Sequence, residues 1–287
     1  MASLGIDIGG SSVKALSIDE DGGVIGTASS ARYTEPDRTG LTRAIRECVA
    51  ELDAGGARCR CVGLCIPGRV NAERTAIETA VNLPALDNWA FNDLLASVFP
   101  NPALASRVVS DADAAGYDFA TEFPILGRTA AISLGTGVGL CILDDEQIAT
   151  IGGRGIGHIG HMDVGRFGND DRVDSCGARN TLESYIGAKS LQSYAEGLGL
   201  NLASMTPGDP PIEALVQAIK IVHAIYQPNR IALLGGVGLA LKPHADMICD
   251  QVNEGLTPLA VQKWTLDFAI STHHAARGAA KLAAQSS

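Results

Sequence analysis

Two glycine turns set in matching surroundings constrain this chain more than any other feature. The first, Asp7-Ile8-Gly9-Gly10-Ser11-Ser12-Val13-Lys14, lies between apolar runs at 4–8 and 13–18. The second, Ser133-Leu134-Gly135-Thr136-Gly137-Val138-Gly139, lies between runs at 130–134 and 140–143. A strand, a glycine turn and a returning strand crowd several backbone N–H groups into one concavity, which holds phosphate oxygens without many cations. An isolated copy reads equally as an ordinary β-hairpin, because glycine at positive φ favours those turns too. Two copies favour the phosphate reading, and a facing pair would grip a triphosphate. Asp7, beside the first turn, is a natural holder of water-coordinated Mg²⁺.

Strand and helix signals alternate around these turns. Helical spacing is expected over 41–52, followed by a strand that ends at Pro67-Gly68. Asn82-Leu83-Pro84 with Trp89 reads as a loop feeding a short helix over 91–99, with Pro100 and Pro102 as breakers. A strand over 107–109 leads through Ser110 and Asp111 into a helix over 112–121. The glycine-dense stretch 152–168 has no periodicity and is expected to be loop, of the kind that often builds active sites. Helices are expected over 181–198 and 211–226, a buried strand over 231–234 running into Gly235-Gly236-Val237-Gly238, and an alanine-rich closing helix over 274–284. The pattern predicts two parallel-rich α/β lobes with a cleft between them: 1–113 completed by the C-terminal helix 272–287, and 114–271.

Composition removes several function classes. A formal charge of −10 offers no basic footprint for nucleic acid, and no apolar stretch approaches a membrane span. The first apolar run lacks a basic leader and contains Asp7, so it reads as a strand rather than a secretion signal, and a cytoplasmic location is expected. The seven cysteines form no paired framework, which suits a reducing compartment. Cys59, Cys61 and Cys65 lie on an apolar run ending at Pro67 and read as buried strand residues rather than a metal cluster. Gly155-Ile156-Gly157-His158-Ile159-Gly160 matches GxGxxG, but Met162-Asp163-Val164-Gly165 after it opens no helix, so a dinucleotide fingerprint is rejected. A Walker A motif is absent.

Together these residues resemble the ROK family (repressor, open reading frame, kinase) of sugar kinases, within the actin and hexokinase superfamily. Asp7-Ile8-Gly9-Gly10 with Lys14 resembles the first phosphate motif and Leu134 to Gly139 the second. Leu234-Gly235-Gly236-Val237 resembles the adenosine motif, Asn82-Leu83-Pro84 a sugar-side loop, and Ser110 to Ala115 the segment that carries the catalytic base. The resemblance implies a two-lobed actin-like ATPase (ribonuclease H-like) fold with an interlobe cleft, ATP and Mg²⁺ as cofactors, a sugar as substrate and a homodimer. It implies nucleotide contacts from Asp7, Gly9, Gly10, Ser11, Ser12, Lys14, Gly135, Thr136, Gly137, Gly139, Gly235 and Gly236. Sugar contacts are implied for Gly68, Asn82, Ser110, His158, His161 and Glu183, and the general base is Asp111. Residue chemistry agrees, since phosphoryl transfer needs a carboxylate to take the proton from the attacking hydroxyl. The competing role for Asp111 is an N-cap of the helix beginning at Ala112.

Three departures from the family pattern stand out. His158 replaces a sugar-binding glutamate, leaving one acceptor and one donor where a carboxylate has only acceptors; the alternative is a solvated loop histidine. Asp113 stands where the family more often has asparagine. The family commonly binds a structural Zn²⁺ through the histidine at position 161 and three cysteines, of which only Cys176 remains, with Asp174 and Thr181 at the other two positions. Zinc is therefore not expected, and the loop must be held by packing or hydrogen bonds. Glucose is the first substrate guess, ahead of mannose, fructose, allose, N-acylmannosamine and aminosugars. The competing readings are a catalytically degenerate sugar sensor of the same fold and an ATPase without a sugar substrate. A repressor is disfavoured, because repressing relatives carry a DNA-binding module ahead of the first phosphate motif, which begins here at residue 4.

Overall fold

The computed structural model describes residues 2–54, 59–99, 105–153, 155–168, 172–198, 204–260 and 263–285. It divides into two compact units, Met1–Asp118 with His273–Ser287, and Phe119–Thr272.

The first unit opens with a meander, β1 (Ala2–Ile8), β2 (Val13–Ile18) and β3 (Val24–Ser29), followed by α1 (Arg38–Ala54) and β4 (Cys59–Ile66). A small ribbon, β5 (Arg69–Val70) with β6 (Ile77–Thr79), precedes α2 (Phe91–Val98), β7 (Ala105–Ser110) and α3 (Asp111–Glu122). The five long strands lie in the order β3-β2-β1-β4-β7, the meander antiparallel and β4 and β7 parallel to β1. Period-two alternation assigns the two faces. Leu4, Ile6, Ile8, Val62, Leu64 and Ile66 pack in one core with Leu41, Ile45, Cys48 and Leu52 of α1. The opposite face carries Gly5, Asp7, Gly63 and Cys65, and there the closing helix α9 (His274–Ala284) packs, its Ala276 and Ala280 joining Leu16 and Ile18. Gly5 and Gly63 are register partners, and a Cβ on either would overlap a backbone carbonyl of α9, so the seat exists only for glycine.

The second unit repeats the plan. β8 (Arg128–Leu134), β9 (Val138–Asp144) and β10 (Gln147–Ile148) form the meander, followed by α4 (Leu182–Ile186), α5 (Ala188–Leu198), α6 (Pro210–Tyr226), β11 (Arg230–Leu234), α7 (Gly235–Ala240), α8 (Ala245–Gly255) and β12 (Thr265–Phe268). The sheet order is β10-β9-β8-β11-β12, with β11 parallel to both β8 and β12. Ile132, Leu134, Ile231 and Leu233 share a core with Ile212, Leu215, Ile219 and Val222 of α6.

Most expected elements are present with ends shifted by a few residues. One expectation fails: 181–198 is two helices, broken at Gly187. A Cβ there would lie 2.7 Å from the Glu183 carbonyl oxygen, and the next amide, Ala188, leaves helical pairing to donate to the Gly135 carbonyl at 2.8 Å. The second glycine turn thus docks where the helix breaks. Among the described residues of 152–168 a 3₁₀ turn spans Ile159–His161. Cys61 and Cys65 are buried in β4 as expected, and Cys59 is half-buried there. Pro100 and Pro102 lie outside the described residues.

Candidate active site

In the first turn the Gly9 amide donates to the Ser12 carbonyl at 3.1 Å, closing the hairpin between Ile8 and Val13. Tyr33 braces it from behind: its hydroxyl donates to the Gly9 carbonyl at 2.5 Å, and its amide donates to the Ser11 carbonyl at 3.0 Å. Burial, reinforced by the charge of Asp7, pushes the Tyr33 phenol up, so it remains a donor. Among the described residues no hydrogen bond engages the amides of Gly10, Ser11 or Ser12, the donor-rich state an anion cradle requires.

Asp7 pairs with Lys14 across the hairpin and with Cys65 across β4. Burial first, then the negative charge of Asp111, raise its carboxyl to about 7 against the opposing pull of Lys14. Asp111 is the first residue of α3 and is exposed. Its neighbour makes the capping contact: Ser110 Oγ accepts from the Asp113 amide at 3.0 Å, while Asp111 Oδ1 accepts from the adjacent Ala112 amide at 2.8 Å. Ser110, expected on the sugar side, therefore has capping as its observed contact. Gly68, also expected there, sits at φ 95°, where a Cβ would overlap the Thr79 carbonyl oxygen and crowd Ala80. Asn82 is half-buried just ahead of the 3₁₀ turn Pro84–Leu86.

In the second unit the Gly135 amide donates to the Gly137 carbonyl at 3.0 Å, so Gly135, Thr136 and Gly137 form the turn, whereas Gly139 belongs to β9 and pairs with Ser133. Gly235 opens α7 directly after β11 at φ 80°, against the Leu134 backbone, and Gly236 follows with open space beside it. The second turn and the Leu234–Val237 segment are therefore neighbours, joined through Leu134.

His158, His161 and Glu183 also come together in this unit. His158 precedes the 3₁₀ turn and His161 ends it, their ring centroids 6.1 Å apart and both residues exposed. Glu183 is 6% exposed, in the first turn of α4. Its Oε1 accepts from Ser175 Oγ at 2.6 Å and its Oε2 from the Val138 amide at 3.3 Å. Gly160 lies against that carboxylate, where a Cβ would stand 3.3 Å from Oε2 and 2.6 Å from the Val138 carbonyl oxygen.

The ROK family model matches residues 3–286. The chain belongs to the ROK family. It is 32% identical over 264 residues to the N-acetylmannosamine kinase of Vibrio cholerae, covering 84% of this chain and 85% of that protein. It is 28% identical over 203 residues to the glucokinase of Streptomyces coelicolor, covering 68% of this chain but only 59% of that protein. A ROK family glucokinase from Streptomyces griseus, solved in complex with glucose and AMPPNP, superposes with a TM-score of 0.78 at 22% identity, covering 99% of this chain and 100% of that one. That likeness assigns the two-sheet actin-like ATPase fold.

The zinc site common in the family does not fit these residues. Ligand atoms of His161, Asp174 and Cys176 do lie within 4.8 Å of one another. Asp174 is already saturated: Oδ1 accepts from the amides of Cys176 (2.8 Å) and Ala178 (2.9 Å), and Oδ2 accepts from Thr181 Oγ1 (2.9 Å) and faces His161 Nδ1 at 3.3 Å. Although burial works the other way, these bonds, that from Thr181 foremost, hold its carboxyl below the usual range. Partial desolvation and the charges of Asp174 and Glu183 push the Cys176 thiol up, away from the thiolate a metal needs. Thr181 supplies a hydroxyl where a fourth nitrogen or sulfur ligand belongs. Asp174 and Ser175 are the site residues whose roles the sequence left unread; what distinguished them was their place in a cysteine pattern the chain has lost.

Proposed function

We propose that this protein is an ATP-dependent sugar kinase that transfers the γ-phosphate to a hydroxyl of a hexose or related sugar. The reading rests above all on the carboxylate pair beside the first turn. Burial and the charge of Asp111 raise the Asp7 carboxyl to about 7, so that it is protonated in part near neutral pH, while Asp111 is exposed at a helix start whose cap Ser110 provides. In this reading Asp111 accepts the proton of the attacking hydroxyl, and the amides of Gly10, Ser11 and Ser12, with those of the Gly135–Gly137 turn, receive phosphate oxygens. A divalent cation suits the Asp7 site, where a second positive charge would relieve the repulsion between the carboxylates; bound with the nucleotide it would offset phosphate charge. Glu183 and His161 supply acceptors for sugar hydroxyls, and His158 adds an exposed imidazole.

Glucose and N-acetylmannosamine are the first substrates to try, in line with the relatives named for them. ADP release with Mg-ATP is measured over a sugar panel, for the wild type and for Asp111→Asn. Sugar-dependent release is expected, with kcat in the variant lowered by roughly 10²-fold or more and ATP affinity nearly intact. Release indifferent to every sugar would make the protein an ATPase. Sugar binding without release would make it a sensor.

A further inference from the structure

We propose that Asp174 and Ser175 are positioning residues that set the hydrogen-bonding state of His161 and Glu183, in a loop that hydrogen bonds, not a metal ion, hold together. The proposal rests on the sugar-kinase reading only in its kinetic part.

The segment 172–181 is a tight hairpin. Val173 bridges to Arg179, the Asp174 amide donates to the Ala178 carbonyl at 2.9 Å, and Thr181 bridges back to Asp163. Asp174, its side chain fully buried, lies at the centre of the hairpin and collects bonds from the turn amides, from Thr181 and from His161. Each of these is a donor, so the carboxylate ties three chain segments together as a tetrahedral metal would, without requiring a thiolate. Thr181 passes the constraint on: its Oγ1 also accepts from the Ser184 amide at 3.3 Å and caps α4, the helix that carries Glu183.

The consequence falls on the two proposed sugar ligands. A carboxylate can only accept, so His161 must keep a proton on Nδ1, and whenever the ring is neutral it presents Nε2 as an acceptor. Ser175 fixes Glu183 from the other side through Oε1. With Nε2 and the Glu183 carboxylate both acceptors, the pair is matched to adjacent hydroxyl donors on a ligand, and a ligand bringing acceptors there is rejected.

The test combines a spectroscopic measurement with a kinetic one on the full chain. Long-range ¹H–¹⁵N spectra of the imidazoles, assigned with His161→Gln, should show His161 as the Nδ1–H tautomer above its titration range. In Asp174→Asn, which keeps the shape but turns an amide NH₂ towards the ring, the proton should move to Nε2. The KM for sugar should rise about ten- to a hundredfold in Asp174→Asn and Ser175→Ala, with the KM for ATP within about twofold, and Ser175→Thr should restore it. Metal analysis of the purified protein should find no stoichiometric zinc, and chelator should leave the thermal midpoint unmoved. An Nε2–H tautomer in the wild type, one zinc per chain, or an unchanged sugar KM in an active Asp174→Asn enzyme would each overturn the proposal. If no sugar is phosphorylated at all, the kinase reading fails, while the tautomer and the metal content still decide this one.

Discussion

The two five-stranded sheets share one strand order, with the third, second and first strands of each followed by the fourth and fifth, and each turns at glycine after its first strand. They differ beside that turn and in how the covering helix is seated. In the first sheet the penultimate residue of the opening strand is Asp7, paired with Lys14; in the second the equivalent position is Ser133, paired with Gly139. The fold duplicates the backbone cradle, but the first copy sets a lysine across from a carboxylate where the second sets a glycine across from a serine. On the helix side, α9 approaches the first sheet through Gly5 and Gly63, backbone against backbone, whereas α6 meets the second through Ile212, Leu215, Ile219 and Val222. Aliphatic packing has rotamers with which to adjust; a backbone seat has none.

The largest expected effect tests that seat. Gly63→Ala puts a methyl group into the Ala279 carbonyl of α9, and neither backbone can move without disturbing the sheet. Urea unfolding should show a loss of about 4–5 kcal/mol or more, the range of severe core changes. A loss under about 1 kcal/mol would mean that the seat of α9 is as forgiving as that of α6.

Next in size is the polar clamp on the same helix. Asp118 of α3, fully buried, accepts from His274 Nδ1 at 2.6 Å, Arg277 Nε at 2.7 Å and Lys281 Nζ at 2.8 Å, three residues on one face of α9. Burial opposes its ionisation, but the bonds from His274 and Lys281, with the Lys281 and Arg277 charges, hold the carboxyl below its usual range. Asp118→Ala strands these donors and should cost about 3–5 kcal/mol. Truncating Lys281 alone should cost far less, because its ammonium is partly solvated. Equal losses would indicate that the clamp acts through charge number and not through burial of the carboxylate.

Sequence made legible what repeats or follows a period: the two hairpins, the helical faces of α1 and α6, and the alanine-rich α9, whose bounds match the expectation residue for residue. The pairing of Gly5 with Gly63 was not legible, because it joins strands far apart in the chain and small residues leave no periodic mark. The break at Gly187 hid inside a stretch of good helical spacing, since its cause is the distant Gly135 carbonyl. α8 carries the signal in Ala245, Ile248, Cys249 and Val252 but lies in a stretch left unassigned. β12 offers only four residues, with Phe268 alone buried. At the site, Ser110 and Asp111 are both competent caps, and only geometry separates their roles. Asp174 is marked in the sequence only by standing at a cysteine position of the family pattern; its bonds to two backbone amides, Thr181 and His161 appear only in the folded hairpin.

The smallest expected effect tests the forgiving sheet. His223 of α6 is fully buried, its ring centroid 4.7 Å from that of Trp264 in an edge-on arrangement, and among the described residues neither ring nitrogen has a hydrogen-bond partner. Burial lowers its pKa from 6.5 to about 4. The folded chain therefore keeps the ring neutral where the unfolded chain would protonate it. Its stability is undiminished above 6.5 and declines as pH falls from there towards about 4, because the unfolded state takes up the proton first. His223→Phe retains the aromatic edge contact and removes both unpaired nitrogens. Near neutral pH it should stabilise the protein by about 1 kcal/mol, read as a shift in the urea midpoint at unchanged m. The gap over wild type should then widen as the buffer is acidified, since the variant lacks this proton uptake while every other titrating group is shared. A gap constant with pH would mean that the folded state protonates His223 as readily as the unfolded chain does. A destabilised variant would show instead that α6 is as closely fitted to its sheet as α9 is to the first, and the contrast between the two sheets would then reduce to the chemistry beside their turns.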